Sequence, residues 1–256
     1  MNGDLAGNSD NDRALSERFS DRVRTRWSWW RATALVVIAL AAATFAAQGA
    51  IMLMEAAGIN AIHWQILAAL AVSQATCIAL TWWAAGLLGD QRSSLLALGP
   101  PSYGVRSYVL AYLAMVLIFG CLSAVLWMLE PERVVRDLTL YADLIRSPAW
   151  PLAVFVIVVG APVMEELMFR GFLFPALASS RLGTGGAAVV TSAGWAALHA
   201  GYSVAGLVEV FLVGLYFAWL LVKTGSLRVP VFCHAAYNLS ALIVLLAVDI
   251  PVAAPG

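Results

Sequence analysis

Again and again this chain runs on for one to two dozen residues with scarcely a charge, then breaks at a short polar turn. Those runs constrain the fold more than any motif, because a helix needs about 20 apolar residues to cross a bilayer. Composition agrees: 62% of residues are hydrophobic, only 12% are charged, and the mean hydropathy is +0.84. Soluble domains carry about a quarter charged residues. The chain reads as an integral membrane protein, and its 256 residues leave room for six to eight helices.

The runs place seven spans: Ala32–Met54, His63–Leu88, Ser107–Leu129, Pro151–Ser180, Ala187–His199, Ser203–Val222 and Val229–Val248. The expected fold is therefore all-α, a polytopic transmembrane helix bundle of seven or eight helices. Ahead of the first span lies a polar tail, residues 1–30, too long and too charged for a signal-peptide n-region. It carries Arg13, Arg18, Arg22, Arg24 and Arg26 and ends in Trp27, Trp29 and Trp30, as an aromatic belt would. Residues 31–147 hold three spans and a charged connector, Glu130–Trp150, with room for a short surface helix. Residues 148–248 hold the last four spans, and 249–256 form a short tail. Arg and Lys group the N-terminus, the Gly89–Arg106 loop, Arg181 and Lys223–Arg228 on one side, which the positive-inside rule makes cytoplasmic, at the plasma (inner) membrane. The net charge of +0 and this flanking pattern call for a lipid partner and no nucleic acid. Cys77, Cys121 and Cys233 are isolated in apolar runs and read as small hydrophobes.

Span four breaks the rule of uncharged runs. In Val-Met-Glu-Glu-Leu-Met-Phe-Arg-Gly it carries Glu165, Glu166 and Arg170. An ionised side chain at the centre of a bilayer costs several kcal/mol unless it pairs, meets water or does chemistry. Glu166 and Arg170 are i,i+4 and share a helix face, while Glu165 points about 100° away. His199 closes span five, with Trp195 one turn before it. His234 and Asn238 are i,i+4 in span seven. A turn near Gly183 brings Glu165 and His199 to within about 3 Å of the same depth, but His234 lies only about eight residues beyond its own turn. Span seven must then tilt, or that turn must dip into the membrane.

Together, Glu165-Glu166-x-x-x-Arg170, Trp195-x-x-x-His199 and His234-x-x-x-Asn238 resemble the three motifs of the CAAX-protease and bacteriocin-processing family, the Abi or CPBP intramembrane proteases. The resemblance spans about Pro148–Ala247. Trp195 stands where phenylalanine is more usual, which keeps the aromatic bulk. The resemblance implies an intramembrane endopeptidase of glutamic or metallo type, with its catalytic core in the last four helices and a peptide or protein substrate. Glu165 and His199 would activate water, His234 and Asn238 would hold the oxyanion, and Glu166 with Arg170 would set the geometry. No cofactor is favoured. A zinc version would use Glu165, His199 and His234 as ligands; it remains the rival mechanism. Rival functions are a non-catalytic scaffold or immunity protein and a proton-coupled transporter, the latter disfavoured by the lack of an internal repeat. Glu209 divides evenly between lining the site and bonding another helix. His63 reads as interfacial, and Gly194, Gly201, Gly206 and Gly214 as packing positions.

Overall fold

The computed structural model describes residues 27–87 and 91–247. The arginine-rich tail up to residue 26, the loop residues 88–90 and the tail from 248 onward lie outside the described residues. Among those described, every regular element is helical: α1 Trp29–Ala56, α2 Ile62–Gly86, α3 Val105–Leu129, α4 Pro131–Arg146, α5 Trp150–Ala178, α6 Gly183–Ala197, α7 Val204–Thr224 and α8 Arg228–Ala247. A single helical turn, Arg92–Leu95, sits between α2 and α3. Six of the helices, α1, α2, α3, α5, α7 and α8, are long and apolar enough to span a membrane. The chain is an integral membrane protein.

One expectation is met here and one changes. The surface helix anticipated in the connector is α4, opened by Pro131 at its first turn, where a missing N–H costs nothing. The expected span at Ala187–His199 is α6, which has only 15 residues. At 1.5 Å per residue it reaches about 22 Å, short of the roughly 30 Å hydrocarbon core. Six helices thus meet the spanning length, against the seven or eight expected.

Helix α1 buries a stripe of mostly small residues, Ala32, Val36, Ala39 and Ala43, which lets α2 approach closely. Cys77 of α2 donates its Sγ–H to the Ala39 carbonyl at 3.8 Å. Helix α5 is different. Two π-helical stretches, Val156–Gly160 and Leu167–Leu173, flank the α-turn Ala161–Glu166. The cause of the first is legible in Pro162, which has no N–H to give. Ala161 donates five residues back to Val156, so the Ile157 carbonyl, which would next look to residue 162, loses its backbone partner. Asn238 supplies the replacement, donating its Nδ2–H to that carbonyl at 2.9 Å. Gln74 of α2 donates to the Val156 carbonyl at 3.2 Å. A Cβ on Gly160 would meet the Gln74 amide oxygen, so that side chain would have to shift.

The depth problem of His234 is solved by a sunken turn. Helix α7 ends at Gly225 in the left-handed conformation, φ +65°. Ser226 and Leu227 then lie buried under the 92–102 segment. Leu227 N–H donates to Ala97 O at 2.8 Å, Ser226 Oγ to Gly99 O at 2.6 Å, and Ser102 N–H to Thr224 O at 3.0 Å. Each buried backbone group is thereby satisfied away from water. Helix α8 follows directly on that covered turn, and His234 meets the acids of α5.

Candidate active site

Four of the six residues singled out by sequence meet directly. Arg170, fully buried, donates from Nη1 to Glu166 Oε1 at 3.1 Å and from Nη2 to the Gly214 carbonyl of α7 at 3.1 Å. Its guanidinium carbon lies 4.6 Å from the centre of the Trp195 ring and 5.6 Å from that of Phe217. Gly214 is needed for that approach, since a Cβ there would stand 3.0 Å from Arg170 Nη2. The i,i+4 pair expected from sequence thus forms, clamped between α5, α6 and α7.

Glu166 Oε1 serves a second partner. His234 Nδ1 lies 3.2 Å from it, while His234 Nε2 lies 3.8 Å from Glu165 Oε2. A carboxylate already bound to an arginine can only accept, so Nδ1 carries the proton and donates it to Glu166. Nε2 is left turned towards Glu165. Phe217 stacks on the imidazole, with ring centres 5.0 Å apart and planes inclined at 27°. The result is a histidine oriented by a carboxylate, which is in turn oriented by an arginine.

Glu165 is held by an unexpected donor. Trp195 Nε1–H donates to Glu165 Oε2 at 2.5 Å. The expectation that tryptophan merely preserves aromatic bulk at this position is therefore incomplete, because phenylalanine has no such N–H. His199 stands one ring away: its Nδ1 pairs with the Trp195 carbonyl at 3.2 Å, and its ring packs edge-on between Trp195 and Tyr202, at 5.4 Å and 5.3 Å. Trp195 touches both His199 and Glu165. Asn238, expected beside His234 as an oxyanion donor, gives one of its two Nδ2–H groups to the Ile157 carbonyl. The reason is Pro162, whose effect on that carbonyl appears only once α5 and α8 are packed together.

The zinc set proposed from sequence fares likewise. Among the described residues no group of three or more His, Cys, Asp and Glu side chains is placed to hold a metal ion. Glu165, His199 and His234 form no such group, and the indole of Trp195 touches all three. The donor set does not fit a zinc ion as arranged.

Glu209 lies in another place. Ser123 Oγ of α3 donates to its Oε1 at 2.5 Å and Tyr237 of α8 at 3.2 Å, so the acid joins α3, α7 and α8. Of its two readings, the helix-bridging one describes these contacts. His63 packs at 5.8 Å against Trp64 at the start of α2, in line with an interfacial residue.

Sequence reasoning allowed for α4 but not for its contacts. Asp137 accepts from the Ser203 backbone N–H at 2.8 Å and from Ser203 Oγ at 2.6 Å, pinning α4 to the first turn of α7. One turn on, the Tyr141 hydroxyl accepts from Tyr202 OH at 2.9 Å. Burial pushes the Tyr141 phenol above its usual range, the bond from Tyr202 pulls it back slightly, and the negative charge of Glu165 pushes it up again. Tyr202 is raised too, chiefly by burial and then by Tyr141, Glu165 and Asp137. Both hydroxyls thus sense Glu165 and remain protonated. The signal available in sequence was the spacing Asp137 to Tyr141, an i,i+4 pair in an otherwise surface-like helix.

Comparison with known proteins gives one match. The family model described as type II CAAX prenyl endopeptidase Rce1-like matches residues 147–240, a segment that holds all six residues singled out above and excludes α1 to α4. No curated protein and no solved structure matches the chain.

Proposed function

We propose, from the premise that residues 147–240 belong to the CAAX-protease family, that the chain is an intramembrane endopeptidase. In this reading it hydrolyses a peptide bond near the membrane boundary. The observation that carries the mechanism is the chain of contacts Arg170–Glu166–His234–Glu165 inside a membrane-spanning bundle. An attacking water held between the Glu165 carboxylate and His234 Nε2 loses a proton to Glu165 as its oxygen bonds to the peptide carbonyl carbon. The tetrahedral intermediate then breaks its C–N bond, and Glu165 returns the proton to the departing amine nitrogen. Products are a new carboxylate and a new amine.

Glu166 and Arg170 take no proton in this scheme. They fix the His234 tautomer and orientation, as a carboxylate does for a catalytic imidazole. Trp195 holds Glu165 by Oε2, the oxygen that faces His234 Nε2. His199 lines the approach behind Trp195 and not the reacting centre itself. The family's description suggests a prenylated peptide ending in Cys-aliphatic-aliphatic-X as the substrate class.

The test is cleavage of a fluorogenic farnesylated peptide of that form by the purified full chain in liposomes, with products identified by mass. Wild type should release the C-terminal tripeptide, and Glu165→Gln should not. Equal turnover by both would refute the assignment of Glu165. Cleavage of the peptide without its lipid at the same rate would remove the prenyl group from substrate recognition.

A further inference from the structure

Glu165 and His199 are the pair that the family resemblance would set on one water, yet the contacts give them different neighbours. Among the described residues, the ion pairs of Glu165 and Glu166 run to His234 and Arg170, and none runs to His199. Glu165 is held instead by the Trp195 Nε1–H, which donates to its Oε2 at 2.5 Å. Phenylalanine, the more usual residue at that position, could not supply this bond. The indole is only 3% exposed, so the bond forms away from water, where a hydrogen bond to a charged group is strong. Three other helices wedge the ring. The Arg170 guanidinium of α5 lies 4.6 Å from its centre, the Phe217 ring of α7 5.8 Å and the His234 ring of α8 5.3 Å.

His199 acts at the end of α6, where the helix tightens. Leu198 N–H donates to Trp195 O at 3.0 Å and His199 N–H to Ala196 O at 2.9 Å, each three residues back. In a continuing α-helix, His199 N–H would have bonded the Trp195 carbonyl. The side chain makes that bond instead, with Nδ1 at 3.2 Å. A carbonyl only accepts, so Nδ1 carries the proton. The imidazole thus caps the last turn, as histidine can at a helix C-terminus. Its ring also lies edge-on against the indole at 5.4 Å, and Tyr202 packs against the imidazole in turn at 5.3 Å. Both contacts of His199 with Trp195, to backbone and to ring, bear on where the indole N–H points.

We propose that His199 is a positioning residue that acts through Trp195: the imidazole caps α6 and fixes the indole, and the indole N–H fixes the carboxylate of Glu165. The proposal rests on the endopeptidase reading above, in which Glu165 and His234 share the water. No proton leaves Nε1 or Nδ1 during turnover. The gain is pre-organisation, because the Glu165 oxygen that faces His234 Nε2 is already held before substrate arrives. Side-chain reach makes the role of His199 separable. Asparagine at that position puts its amide nitrogen where Nδ1 stands, whereas glutamine puts it where Nε2 stands.

The experiment uses the full chain in liposomes with the same farnesylated fluorogenic peptide. Replacing Trp195 by 3-benzothienylalanine keeps the shape of the indole and puts sulfur in place of the N–H. It should lower kcat about ten- to a hundredfold, the loss typical of a group that orients a reacting side chain, with KM and melting temperature little changed. His199→Asn should keep kcat within a few-fold of wild type, and His199→Gln should lose more. The Nε1–H resonance of an isotope-labelled indole at position 195 reads the geometry without turnover. It should move in Glu165→Gln and in His199→Gln and stay in place in His199→Asn. Wild-type kcat in the benzothienyl protein overturns the proposal, and so does an indole resonance that ignores Glu165→Gln. His199→Gln as active as His199→Asn, or more so, overturns it as well, because the imidazole would then act directly through Nε2. Should the His199 variants fail to fold, the benzothienyl protein and the resonance in Glu165→Gln decide. If wild type itself leaves the peptide uncut, the endopeptidase reading falls and takes this one with it. If wild type cuts, Glu165→Gln does not, and the benzothienyl protein is normal, only the link through Trp195 is refuted.

Discussion

Helices α1 and α5 are nearly the same by the measures that predict a membrane span: 28 and 29 residues, each with a mean hydropathy of 2.1 over its best window. They behave as opposites. In α1 only 17% of that window is buried and the helix is unbroken; in α5 the figure is 50%, and two π-helical stretches interrupt it. Phe45 of α1 turns most of its surface outward, whereas Phe174 of α5 has none exposed. Hydropathy tells how far a helix reaches. What it is for is told by its exceptions: Gly160, Pro162, the two acids, Arg170 and Gly171. Of these, the two acids and Arg170 bond residues of other helices, and Gly160 meets Gln74 of α2.

That contrast can be broken or sharpened experimentally. The largest effect falls on Glu165→Gln, which should cut turnover at least a hundredfold, the scale of a lost general base, while leaving the melting temperature in detergent intact. If Glu166→Gln is instead dead but stable and Glu165→Gln retains activity, the two acids have exchanged roles. Next comes Arg170→Ala. It strands the buried Glu166, which typically costs about 3–5 kcal/mol, so folded yield should fall along with activity. Phe45→Ala, on the lipid-facing side of α1, should stay within about 0.5 kcal/mol of wild type. Comparable losses from these two would erase the distinction between the helices.

Smaller effects probe the π turn. Asn238→Ala leaves the buried Ile157 carbonyl unpaired, a loss of about 1–3 kcal/mol. Pairing it with Pro162→Ala, which restores a backbone N–H at that position, should recover part of the stability; purely additive losses would show that Asn238 does not act through that carbonyl. Smallest of all, chelation of zinc should leave turnover unchanged. Reversible loss on chelation, with stoichiometric zinc in active protein, would show that the site rearranges to collect His199.

How far the sequence was legible follows the same divide. The Glu166–Arg170 pair could be read because both ends lie on one helix with i,i+4 spacing. The contact of His199 with Trp195 follows from their i,i+4 spacing, but the bond from Trp195 to Glu165 could not be read, since it joins two helices. His234 looked misplaced because depth was counted from a turn assumed to sit at the surface. Ser226 and Leu227 are instead buried under residues 92–102, a contact between segments more than a hundred residues apart. The role of Asn238 was illegible for a related reason: it repairs a carbonyl that Pro162 disables on another helix. Gln74 and Tyr141 carried no motif, and only packing brings them to α5 and to Tyr202.

The central claim is that Glu165 and His234 act on one water, with Glu166 and Arg170 holding the imidazole. The most direct measurement is kcat/KM for Glu165→Gln, His234→Ala and the double variant on one cleaved peptide. Groups that work as a unit are strongly non-additive. The account predicts that the double variant is no slower than the worse single variant. Losses that multiply would mean that the two residues contribute independently, and that the contact chain from Arg170 to Glu165 is not the catalytic unit.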